Sequence, residues 1–127
     1  MPERLGPIRS AQECREHLAE GWSEAETAVY VLWDRATQTA IYCGTSRTPG
    51  RLRSHLAKDD LANGPVGKTH VNPELRSYCL SKGKGWLGIS FGVFADEASA
   101  RRVEQEIISR FGIRKFGGQL FNQRLSG

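Results

Sequence analysis

A chain of 127 residues, 39% of them hydrophobic, can enclose one core and is too short to divide between two. No window approaches the roughly 18 apolar residues of a membrane span, and the opening MPERLGPIRS has no apolar run, so neither a membrane protein nor one exported by a recognisable signal is expected. A net charge of +4 and a pI near 9.2 turn attention to acidic partners.

In chain order, Ser10 to Glu13 reads as a capping box opening a short helix that stops at Gly21. Residues 1–27 form an acidic helical appendage in this reading, and residues 28–127 form the main domain. AVYVLW and AIYC flank the turn-rich DRATQT and predict a β-hairpin. With a loop from Asp34 to Gln38, Trp33 faces Thr39 and Tyr30 faces Tyr42, which sets two phenols side by side on one face; a slip of one residue would separate them. Thr48 and Pro49 then cap a helix through RLRSHLAKDDL, where Arg51 and His55 share a face bordered by Leu52 and Leu56. Asn72-Pro73 repeats that signal for PELRSYCLSK, closed by Gly83. WLGISFGVFA alternates large and small residues as a third strand does. Asp96 caps a last helix that Gly112 ends. The tail from Ile113 has too little periodicity to place beyond a loop ending near Asn122.

The last helix contains an anomaly. At about 100° per residue, Ala100, Val103, Ile107, Ile108 and Phe111 form one apolar face, and Glu104 falls within about 40° of its centre. Glu106 points more than about 120° away, towards Arg102 and Arg110. A carboxylate on a buried face is costly without a cationic partner, so Glu104 requires one.

Residues 1–27 hold three basic and six acidic side chains, whereas residues 47–127 hold fourteen basic and seven acidic. The basic part is the candidate contact surface for nucleic acid; taken alone, it fits a solvated face equally well. Cys14, Cys43 and Cys79, at spacings of 29 and 36, do not suit a disulfide scaffold and fit reduced thiols in a cytoplasm. Cys14 and His17 have a C-x-x-H spacing but no second close pair, so a structural zinc site is not expected.

VYV at 29–31, YCG at 42–44, Arg51 with His55, Glu104 and Asn122 together resemble the GIY-YIG nucleases, from about Ala28 to Asn122. The resemblance implies an α+β fold, a three-stranded antiparallel sheet flanked by helices. It also implies catalytic roles for Tyr30, Tyr42, Arg51, His55, Glu104 and Asn122, with Glu104 as the metal ligand. Val29 replaces the glycine of the first motif, Cys43 takes the middle place of the second, and Thr45 stands where some relatives carry a lysine.

Phosphodiester hydrolysis needs a positioned water, stabilised charge on the phosphate and help for the leaving oxygen. Arg51 can clamp a phosphate bidentately, and Glu104 can hold one Mg²⁺ or Mn²⁺ that keeps most of its waters. The aspartates Asp34, Asp59, Asp60 and Asp96 fall in turns or away from this face, which favours a single metal ion. The general base stays open: a phenol with its ordinary pKa near 10 is only about 0.1% ionised at pH 7, so Tyr30 or Tyr42 needs positive charge nearby, and His55 competes. Each residue also has a plainer reading, the tyrosines as packing, Arg51 and His55 as a solvated ridge, Asn122 as a cap. The expected protein is a DNA endonuclease, with strand number open and RNA an alternative, whose Arg47, Arg53, Lys58, Lys68, Arg76, Lys82 and Lys84 track the phosphate backbone. Its rivals are a non-catalytic nucleic-acid-binding module of the same fold and a protein-interaction domain.

Overall fold

The computed structural model describes residues 5–61 and 73–122. The chain begins with β1 (Arg9–Ser10), α1 (Ala11–Leu18) and the hairpin β2 (Thr27–Asp34) and β3 (Thr39–Ser46). α2 (Pro49–His55) runs into a 3₁₀ turn (Leu56–Asp60), followed by α3 (Pro73–Leu80), β4 (Leu87–Phe94), α4 (Glu97–Phe111) and a second 3₁₀ turn (Arg114–Phe116). The architecture is α+β, with a four-stranded antiparallel sheet in the order β1-β4-β2-β3. Three strands were expected. The fourth, β1, pairs Arg9 with Ile89 and Ser10 with Gly88, and two residues are too short to show any periodicity. Ser10 also serves as the N-cap of α1, where the predicted capping box with Glu13 forms. The N-terminal segment is therefore tied into the sheet, and its Cys14 and Leu18 share a core with Leu32 and Ile89.

β2 is the central strand, and all eight of its residues are buried, because helices cover both faces of the sheet. On one face Tyr30, Leu32 and Ile89 pack with Leu52, Leu56, Leu75 and Cys79 from α2 to α3. On the other, Val29, Val31, Ala40 and Cys43 meet Ala100, Val103, Ile107 and Ile108 of α4. The predicted apolar face of α4 is therefore its core face, capped by Asp96 on Ser99 N (2.7 Å) and ended by Gly112 at φ 75. Among the described residues no helix is long and apolar enough to cross a membrane.

The hairpin register differs from the expected one. The turn leaves Asp34 inside β2, opposite Thr39, and puts Trp33 opposite Ala40. An irregularity between Leu32 and Trp33 then inserts one more residue, so Leu32 faces Tyr42 and Tyr30 faces Gly44. The two single-residue shifts sum to an even number, and strand side chains alternate with period two, so Tyr30 and Tyr42 still share a face.

Two further expectations change. The helix through Asp60 tightens to 3₁₀ after His55, where Trp86 Nε1 donates to Lys58 O (2.9 Å) and Leu87 N to Asp59 Oδ1 (3.0 Å). Asp34 is buried at the end of β2 rather than in a turn, accepting from Tyr78 Oη (2.6 Å) and pairing with Lys82 Nζ (2.9 Å). The cap Asn72 and the candidate contact Lys68 lie outside the described residues.

The tail folds back along β3, the edge strand. Ile113 bridges Leu120, and a Cβ on Gly118 would lie 2.2 Å from the carbonyl carbon of Gly112, so two glycine backbones meet there. Phe121 N then donates to Ile41 O (2.7 Å).

Candidate active site

Gly44 seats the central tyrosine. It lies directly opposite Tyr30, and a Cβ added to it would sit 2.6 Å from Tyr30 Oη, so the Tyr30 side chain lies across β3 in the space a side chain would take. Tyr42, two residues earlier on β3, brings its ring to 6.4 Å from that of Tyr30, centroid to centroid. α2 approaches from the same side. Its N-cap Thr48 accepts from Arg51 N (3.2 Å), and one turn later His55 Nε2 lies 3.0 Å from Tyr30 Oη, with the rings 5.0 Å apart.

α4 supplies the other wall. It packs on the opposite face of the sheet, yet Glu104 lines the same cavity, of about 250 Å³, as Tyr30, Tyr42, Arg51 and His55. Five of the six expected catalytic residues thus meet at one place, around the end of β3. Glu104 is 1% exposed, whereas Glu106 is exposed on the outer surface.

Asn122 stands elsewhere. It is buried and clips the backbone of the edge strand, with Cys43 N donating to its Oδ1 (3.0 Å) and its Nδ2 donating to Cys43 O (2.7 Å). Both ends of the amide are used in holding β3 between Tyr42 and Gly44, which is a positioning task. The Val29 and Cys43 side chains point into the α4 layer, so these two departures from the family motifs bear on packing.

The electrostatics follow from burial. Tyr30 is raised well above its usual 10, first by burial, then by Tyr42, Cys43 and Glu104, with Arg51 opposing. The Cys43 thiol is also pushed up, by burial and then by Glu104. Glu104 thus makes a negative region at the cavity wall that a cation would relieve. Among the described residues no group of three or more His, Cys, Asp or Glu side chains is gathered for a metal. A single carboxylate facing a cavity nevertheless suits Mg²⁺ or Mn²⁺, since magnesium is commonly held by one or two carboxylates, its own waters and a substrate phosphate.

The basic side chains divide. Arg47 is exposed and lines the cavity, forming an ion pair with Glu97, and Arg53, Arg76 and Lys84 are also exposed. One expected contact is corrected: Lys58 is only 3% exposed, with Nζ 3.0 Å from His55 Nδ1, and is held by the interior. Lys82 is partly exposed, pairs with Asp34 and stacks over the Tyr78 ring at 4.8 Å.

Sequence reasoning missed Glu97 and Arg101, which also line the cavity. Helical spacing carried the signal, since positions 97, 101 and 104 fall on one stripe of α4. Glu97 is a second carboxylate, but Arg47 and Arg101 both engage it and hold its carboxyl below the usual range.

No family model matches the chain, and no curated protein or solved structure matches it significantly.

Proposed function

We propose that the chain is a GIY-YIG-like endonuclease that hydrolyses phosphodiester bonds in DNA with one divalent metal ion held by Glu104. The observation that supports this reading is the meeting of Tyr30, Tyr42, Arg51, His55 and Glu104 from both layers in one cavity. Tyrosines, a guanidinium and a buried carboxylate have little reason to converge around a strand edge for packing alone.

Each group has a task in this reaction. Arg51, exposed at the rim, forks onto the non-bridging oxygens of the scissile phosphate. Arg47 and Arg101 sit beside it and hold the rest of the phosphate path; Arg47 lies two residues along from Thr45 and supplies positive charge near the place of the missing lysine. Tyr30, Tyr42 and His55 line the wall where the attacking water is oriented and its proton taken. As the water oxygen bonds to phosphorus, the bond to the leaving sugar oxygen breaks, and that oxygen takes a proton from solvent. A divalent cation bound at Glu104 supplies positive charge to the oxygens of the phosphate in transit.

The test is incubation of the purified chain with labelled single-stranded DNA, duplex DNA and RNA, with Mg²⁺, Mn²⁺ or EDTA. Metal-dependent cleavage of a DNA substrate is expected. Salt-sensitive binding without cleavage would replace this reading with a binding module, and the absence of both would remove nucleic acid as the partner.

A further inference from the structure

Among the described residues, Lys58 is the one expected surface cation that the fold turns wholly inward. The α-helix tightens to 3₁₀ at His55, and in a 3₁₀ turn side chains three apart eclipse one another, which stacks Lys58 on His55. Its Nζ is 3.0 Å from His55 Nδ1, and on the far side of the ring Nε2 is 3.0 Å from Tyr30 Oη. The three groups form a line from a buried amine to the cavity.

The direction of the hydrogen bonds along that line follows from the donors available. An ammonium has three N–H donors and no acceptor, so Nδ1 must present its lone pair to Lys58. A neutral imidazole with a lone pair on Nδ1 carries its proton on Nε2. Double protonation would point an N–H at the ammonium and set two positive charges side by side in a buried place. His55 is therefore a donor to Tyr30 Oη.

We propose that Lys58 is a positioning residue that holds His55 in the neutral Nε2–H tautomer, which makes His55 a hydrogen-bond donor to Tyr30 and bars it from acting as the base of the reaction. The consequence for the reaction rests on the nuclease reading; the tautomer does not. The His55 Nε2–H fixes the position of the Tyr30 oxygen at the cavity wall. His55 cannot take the proton of the attacking water, because its lone pair faces the interior.

The surroundings keep Lys58 available for this task. Burial lowers it from 10.5 to about 8, with the Cys79 thiol opposing, so the amine is still charged at neutral pH. Cys79 is itself raised to about 11, chiefly by burial, and remains a neutral thiol there. The neighbouring Asp59 carboxylate accepts from Leu87 N. Among the described residues no carboxylate forms an ion pair with Lys58.

Long-range ¹⁵N–¹H correlation NMR of the histidine rings, on the intact chain at pH 7, tests the proposal. Nδ1 of His55 is expected in the unprotonated range and Nε2 in the protonated range. A proton on Nδ1 in the parent protein would overturn the proposal before any variant is made. Lys58→Met removes the donor at nearly constant volume and should shift His55 towards the Nδ1–H or doubly protonated form, and Lys58→Gln, which keeps an N–H donor, should restore part of the Nε2–H signal. An unchanged tautomer in Lys58→Met would show that Lys58 does not set it. On DNA, Lys58→Met should lose tenfold or more in kcat with KM little changed. A parent with the expected tautomer but no cleavage would keep the Lys58–His55 assignment and refute the nuclease reading alone. Cleavage in Lys58→Met at the parent rate would refute the role of the tautomer in the reaction.

Discussion

Glu104 and Glu106 are two residues apart on one helix and differ completely in setting. Glu104 is buried at a cavity wall, and Glu106 is exposed beside Arg102 and Arg110. Glu104→Gln should abolish metal-dependent nicking, and Glu106→Gln should leave it within a few-fold of the parent. Mg²⁺ should raise the melting temperature of the parent and of Glu106→Gln but not that of Glu104→Gln, since a ligand that binds only the folded state stabilises it. A dead Glu106→Gln beside an active Glu104→Gln would place the site on the other face of α4. Lys58 has the opposite character, an ionisable group whose burial costs stability. Its folded pKa, about 8 against 10.5, means that the unfolded chain binds more protons between those values. Stability should therefore rise with pH across that window as the buried charge is given up. The penalty at pH 7 is of order 3 kcal/mol, so Lys58→Met should melt several degrees above the parent at pH 7, with the gap closing towards pH 10. An equal gap at both pH values would mean that Lys58 binds its proton equally well in the folded and unfolded chain, so that burial does not lower its pKa.

At the scale of elements, the hairpin shows how a wrong register can leave a right face. The alternation of AVYVLW and AIYC was legible, and so was the parity that keeps Tyr30 and Tyr42 together. The turn boundary and the extra residue beside Trp33 were not, because a bulge answers to contacts across the sheet rather than to local composition. Lys58 was misread for a related reason. Periodicity assigns a lysine to the solvent face, and only the 3₁₀ turn, pinned by Trp86 and Leu87 at the distant start of β4, drives it inward. Arg51, His55 and Glu104 were legible because helical spacing alone sets their faces. Gly44 offers a test of the strand geometry. Gly44→Ala would put a methyl group 2.6 Å from Tyr30 Oη, displacing the ring from His55 at a cost of about 1–3 kcal/mol and most of the cleavage activity. Gly50→Ala, where an added Cβ meets nothing within 4 Å, should be neutral or stabilising by up to about 1 kcal/mol. If the two variants melt together, Gly44 does not carry the packing assigned to it.

For the whole molecule, the separation of charge along the chain is the main determinant of how it meets a partner. Because the excess of positive charge lies in residues 47–127, affinity for DNA should fall steeply between low and physiological salt through counterion release. A flat salt profile in a binding titration would be incompatible with a phosphate-tracking surface. With Lys58 buried and Lys82 paired with Asp34, Arg47, Arg53, Arg76 and Lys84 are left as the fully exposed members of the predicted set among the described residues. The slope should be correspondingly shallower than a count of lysines and arginines suggests.

The clip made by Asn122 has one more consequence. β3 is the outermost strand of its sheet, and an outermost strand offers its spare N–H and C=O groups to any other chain that can lie alongside. Asn122 occupies both groups of Cys43, and Phe121 takes the carbonyl of Ile41, so the molecule covers its own exposed border with its own tail. Asn122→Ala should therefore uncover that border as well as loosen the cavity. Light scattering or sedimentation should show Asn122→Ala self-associating as its concentration rises, under conditions where the parent stays monodisperse. If the variant stays monodisperse as well, the tail is not what guards the strand from its own kind.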